Sequence, residues 1–106
     1  MGTNELADHC VELLATLGPA RAKRMFGGHG LYVDGLFVGL VTSHERLYLK
    51  ADEAARPRFE AAGCEPFRYE RDGVVGTMWG CWSAPAEAME SPALMTPWAR
   101  RRSEEH

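Results

Sequence analysis

No stretch of this 106-residue sequence approaches the roughly 20 consecutive apolar residues that span a bilayer. Its N-terminus carries no apolar run of signal-peptide length, so the expected location is the cytoplasm. Cysteine is scarce. Cys10, Cys64 and Cys81 are three in number, widely spaced and without a CxxC pair, which argues against a disulfide framework and against a zinc ribbon. Basic excess is also missing. The formal net charge is −3, and this excludes a generic nucleic-acid binder held by phosphate contacts alone. Internal repeats and low-complexity linkers are absent, so one domain over residues 1–106 is expected, with residues 1–4 and 103–106 fraying.

What is present is a sequence of 45% hydrophobic residues arranged in legible periods. Leu6, Cys10, Leu13, Leu14 and Leu17 recur at helical spacing and predict an amphipathic helix over 5–17, ended by Gly18-Pro19. Residues 22–26 can form a short first strand. Strands are then predicted over 30–33, 36–42 and 46–50, joined first by Asp34-Gly35, a strong two-residue hairpin turn. A short helix is expected near 53–62, with Pro57 close to its start and Gly63 as its stop. Phe67–Glu70 and Val74–Trp82 flank a second Asp-Gly turn and read as another hairpin. Ser83 is placed to cap a helix opening at Pro85, and a last helix begins near residue 92. This order predicts an α+β fold with an antiparallel sheet of about five strands: helix, three-strand meander, helix, hairpin, C-terminal helices.

The densest motif is Phe26-Gly27-Gly28-His29-Gly30-Leu31-Tyr32. Glycines beside a strand can cradle an anion on backbone N–H groups, or they can form a bulge or bend that admits a close neighbour. A P-loop needs Lys-Ser/Thr and a helix after the last glycine, and a dinucleotide fingerprint needs the helix too. Here a strand follows and no such Lys or Ser/Thr is in place, so the cluster reads as a structural corner. Positive φ is expected at one or more of its glycines, and valine at Gly28 or Gly30 is expected to destabilise the fold.

Arg24 through Tyr32, followed by Leu47-Tyr48-Leu49-Lys50 and by Pro66-Phe67-Arg68-Tyr69, resembles the N-terminal domain of the TfoX/Sxy family, over about residues 5–99. The paired motifs that carry the resemblance are Phe26, Gly27, Gly28, Gly30, Leu31, Tyr32, Leu47, Tyr48, Leu49 and Lys50. The resemblance implies a bacterial, cytoplasmic, non-enzymatic α+β domain similar to secretion chaperones in fold. It implies a part in regulating competence, with a protein partner such as a transcription regulator, and a homodimer. Full-length regulators of this type carry a second helical domain, which is not expected within these 106 residues. The family defines no catalytic residue, so none is assigned here, and no cofactor or metal is assigned either.

The remaining candidates are weighed on their own residues. A direct nucleic-acid binder would use Arg21, Lys23 and Arg24 with Arg100-Arg101-Arg102, against an acidic second half. A small metal or redox protein would centre on His29 or on Cys64. No carboxylate or nucleophile is placed beside His29 by sequence, and Glu65 beside Cys64 disfavours a thiolate. Trp79, Trp82 and Trp98 offer an interface. Trp79 and Trp82 are three positions apart, so on a straight strand they face opposite sides and one of them is uncovered.

Overall fold

The computed structural model describes residues 3–25 and 27–99. Residues 1–2, Phe26 and residues 100–106 lie outside them, and with these the expectations for Arg100–Arg102, for the frayed C-terminus and for the first two of the residues 1–4 expected to fray. Helix α1 spans Thr3–Leu14 and continues as a 3₁₀ turn over Ala15–Leu17. Strands β1 (Ala20–Met25), β2 (Gly28–Val33), β3 (Leu36–Val41) and β4 (Leu47–Lys50) follow. Helix α2 (Arg56–Ala61) precedes β5 (Pro66–Arg71) and β6 (Val74–Ser83), and after a 3₁₀ turn over Ala86–Met89 comes α3 (Pro92–Ala99).

The six strands form one antiparallel sheet in the order β1-β2-β3-β4-β6-β5. The α+β expectation holds, and the count rises from about five to six because Ala20–Met25 pairs along its whole length with β2. The meander therefore has four strands rather than three. Both Asp-Gly turns are type I′ in character: φ is 53° and 78° at Asp34 and Gly35, and 53° and 80° at Asp72 and Gly73. Between Leu31 and Tyr32 the β2–β3 register slips, and Val38 becomes the extra residue of a bulge that directs it into the core.

Alternation along the strands sorts side chains onto two faces. Leu31, Val33, Val41, Leu47, Leu49 and Trp82 turn inward and pack with Ala7, Cys10, Leu13 and Leu14 of α1 and with Phe59 and Met95. The i, i+3, i+7 spacing of Ala7, Cys10 and Leu14 is what lets one side of α1 cover the sheet. Phe59 from α2 meets Trp98 edge-on, with ring centroids 5.1 Å apart, which ties the short helix to α3. Helix α2 starts at Arg56, later than the expected 53, because residues 53–55 form a turn in which the Asp52 carboxylate accepts the Ala55 N–H at 2.8 Å.

Ser83 does not cap a helix. Its Oγ accepts the Glu65 N–H at 3.0 Å and its own N–H donates to the Glu65 carbonyl at 2.8 Å, so it fastens the end of β6 to the chain entering β5. The helix expected at Pro85 is the 3₁₀ turn, which has no side-chain cap. Instead, a ring nitrogen of His9 bonds the Met89 carbonyl at 3.0 Å, holding that turn against α1.

Candidate interaction surface

The glycine corner is built by close approach more than by unusual torsions. Of its three glycines Gly27 has positive φ, 78°, as expected for the cluster. Gly28 lies against β3, where a Cβ would overlap the Val41 carbonyl oxygen. Gly30 faces side chains instead: an added Cβ would lie 2.6 Å from the end of Met25 and 3.3 Å from the Tyr32 ring. The corner thus lets β2 run tightly beside β3, and it presents a packed backbone rather than a cradle of free N–H groups.

The other motif residues divide between the two faces. Leu31, Leu47 and Leu49 are core. Tyr32 and Tyr48 stand on the opposite face, which the helices leave open. There Tyr32 meets Phe37 edge-on at 5.8 Å, and Tyr48 meets Phe67 edge-on at 5.0 Å. Phe67 continues to Tyr69 at 6.5 Å, and the register sets Leu40 beside Tyr48. An apolar stripe therefore crosses the open face from β2 to β5. Arg46 lies over the Tyr48 ring at 5.8 Å and covers part of it with charge.

The stripe ends at the β5–β6 hairpin, which extends past the helices. Val74 is 68% exposed, Val75 62% and Trp79 56%, and Tyr69 and Met78 are exposed as well. Gly76 sits beneath the Tyr69 ring, so close that any Cβ there would collide with it. The glycine thus has the close packing partner that a glycine in mid-strand suggests. Large apolar side chains on both faces of a hairpin are an unusual surface for a protein of this size.

The three tryptophans have different surroundings. Trp82 is 3% exposed and packs in the core, and Trp98 is half-buried with Arg58 over its ring at 4.7 Å. Trp79 is the one left outside. Of the residues proposed for nucleic-acid contact, Arg21, Lys23 and Arg24 are exposed on edge strand β1, but alternation puts Arg21 and Lys23 on one face and Arg24 on the other. They do not form one patch.

His29 is buried between Arg24 of β1 and Val41 of β3, and its Nδ1 has no hydrogen-bond partner among the described residues. Among those residues no three His, Cys, Asp or Glu side chains converge as metal ligands would. Cys64 is half-buried rather than looped out. Burial pushes its thiol above the ordinary value, against a smaller opposing effect from its hydrogen bond to Ser83. Cys81 is raised by burial in the same sense, with the Lys50 charge working against it. Cys10, inside the core, is pushed up to about 12 by burial.

Comparison with known proteins places this architecture. The sequence model of the TfoX N-terminal domain matches residues 12–105. The chain belongs to the TfoX N-terminal domain family. It is similar to DNA transformation protein TfoX1 of Aliivibrio fischeri, 31% identical over 75 residues, which is 71% of this chain and 35% of that protein. The chain thus spans about a third of the length of this curated relative. Among the described residues, no helix is long and apolar enough to cross a membrane.

In this TfoX N-terminal domain Leu31, Leu47 and Leu49 of the motif lie in the core. The exposed hairpin residues Val74, Val75 and Met78 went unnoticed in the sequence. The signal was there: adjacent valines straight after an Asp-Gly turn put an apolar residue on each face, and a sheet covered on one side leaves one of them in water.

Proposed function

We propose that this TfoX-family domain is a non-enzymatic regulatory or adaptor module of a DNA-transformation pathway, acting on transcription through protein contacts, self-association included. The observation that carries the reading is the outward-facing apolar surface of the β5–β6 hairpin around Trp79. Exposed tryptophan with neighbouring Met and Val is the composition of an interface centre. The pathway is suggested by the Aliivibrio fischeri relative, a DNA transformation protein.

The test is genetic. Deleting the gene in its own host and restoring it as wild type or as Trp79→Ala, with DNA-transformation frequency as the readout, separates the outcomes. Wild type is expected to restore the frequency and Trp79→Ala to fail, with both proteins equally stable by thermal melting. A deletion without effect on transformation overturns the pathway, and a fully active Trp79→Ala overturns the contact surface. A titration of labelled duplex DNA at physiological salt is expected to show no binding. Tight, steeply salt-dependent binding would instead favour direct DNA contact.

A further inference from the structure

Among the described residues both edges of the sheet are open to a further strand, and their charges treat a second copy of the chain in opposite ways. The β1 edge carries Arg21, Lys23 and Arg24. Antiparallel pairing of β1 with itself about Ala22 would set Arg21 against the partner's Lys23, a like-charge contact that disfavours the pair. The β5 edge reads Phe67-Arg68-Tyr69-Glu70-Arg71. Its main-chain geometry follows from the Asp72-Gly73 turn. The closing pair of a two-residue hairpin, Arg71 and Val74, exchanges hydrogen bonds, and so do Tyr69 with Gly76 and Phe67 with Met78. Arg68 and Glu70 alternate with these, so their N–H and C=O groups point away from β6, toward the free edge.

We infer that a second copy of this chain adds to the sheet along β5, antiparallel and centred on Tyr69, so that Arg68 of each copy pairs with the partner's Glu70. This rests on the protein-contact reading above and assigns one of its partners. The register satisfies two requirements together. Arg68 and Glu70 are the residues with outward main-chain groups, and pairing each with the other forms two hydrogen-bonded rings related by a two-fold axis. Their side chains are exposed, and within their own hairpin they stand opposite Thr77 and Val75, which offer no charge. In the pair each gains a counter-charge directly across the strand. A slip that moves the centre to Arg68 sets arginine against arginine, and one that moves it to Glu70 sets glutamate against glutamate.

On the other face Phe67 lies across from the partner's Arg71, in position for a cation–π contact. The exposed Tyr69 meets the partner's Tyr69 at the axis. Charged residues on an edge ordinarily keep sheets apart. Here their spacing makes that defence fail for this one partner and register. Pairing β1 of one copy with β5 of another would bring three cations to a strand that is itself net positive, so the association closes as a dimer rather than growing into a fibre.

Sedimentation velocity over a micromolar-to-millimolar series at low salt tests this with four proteins: wild type, Arg68→Glu, Glu70→Arg and the double exchange. All four are expected to melt alike, since both side chains are exposed. Wild type is expected to dimerise, each single exchange to weaken the dimer at least about tenfold, and the double exchange to restore the wild-type value. A wild type that stays monomeric throughout overturns the inference. So does a dimer indifferent to the single exchanges, or a double exchange weaker than either. A dimer indifferent to charge leaves the Trp79 contact surface standing, because that reading fails on transformation frequency and not on self-association through β5.

Discussion

The indole N–H of Trp82 donates to the main-chain carbonyl of Trp79 at 2.9 Å. The bond spans the irregular stretch of β6 between Met78, paired with Phe67 of β5, and Trp82, paired with both Pro66 of β5 and Leu49 of β4. At this crossing one indole is drawn into the core, 3% exposed, and the other is left outside, 56% exposed. The same short segment thus supplies an anchor for the sheet and a surface for a partner.

The two tryptophans are expected to separate cleanly in urea unfolding. Trp82→Ala empties a core position and removes the bond to Trp79, at a cost of about 3–5 kcal/mol. Trp79→Ala is expected to stay within about 0.5 kcal/mol of wild type, as a surface change does. Equal losses at the two positions would contradict the placement of the indoles.

The glycine corner makes a graded prediction. Gly28→Ala forces a methyl group onto the Val41 carbonyl, which belongs to a paired strand and cannot move alone, so a loss of about 1–3 kcal/mol or more is expected. Gly30→Ala meets the flexible end of Met25 most closely and the Tyr32 ring at 3.3 Å, and is expected to cost less, with Met25→Ala relieving most of the loss. Thermal melts of the three variants decide it, and a Gly30→Ala protein less stable than Gly28→Ala would be the wrong order.

Burial of Cys10 sets a pH dependence. Its thiol is raised from 9.0 to about 12 in the folded chain, so between these values the unfolded chain loses the proton first. The contribution is complete below pH 9 and declines as pH rises toward 12, by at most about 1.4 kcal/mol per pH unit. Urea melts at several pH values above 9 are expected to show a steeper decline for wild type than for Cys10→Ala, and parallel curves would refute the assignment.

Thiol labelling in the native state is expected to follow access. Cys64 is half-buried and should react first, more slowly than a free thiol because its own proton is held more tightly. Cys10 and Cys81 are buried and should react only on unfolding. Mass spectrometry of partly labelled protein reads the order.

The Asp52 carboxylate holds the turn that leads into α2 by accepting the Ala55 N–H. Asp52→Ala is expected to cost about 1 kcal/mol in chemical denaturation, and Asp52→Asn much less, because the amide oxygen can accept the same bond.

Much of this protein was legible before its structure. The period of Cys10, Leu13 and Leu14 declared α1, and the Asp-Gly turns declared two hairpins, because these signals act through neighbours in the chain. Ser83 shows where such reading failed. A serine ahead of Ala-Pro has the local form of a helix cap, yet its hydroxyl bonds Glu65, 18 residues away in the chain. The first strand is hard to read locally for the same reason: Arg21, Lys23 and Arg24 have little local strand character, and pairing with β2 is what makes Ala20–Met25 a strand.

The sequence by itself determined the elements, the corner at Gly27–Gly30 and the family to which they point, since turn torsions, side-chain period and motif spacing are properties of adjacent residues. Tertiary structure alone decided that Gly28 is constrained by Val41, that Trp79 rather than Trp82 faces water, and that Arg68 and Glu70 line a free edge. Each of these depends on which strand lies alongside and on which face the helices cover. Such long-range pairing is settled by the burial of the whole core.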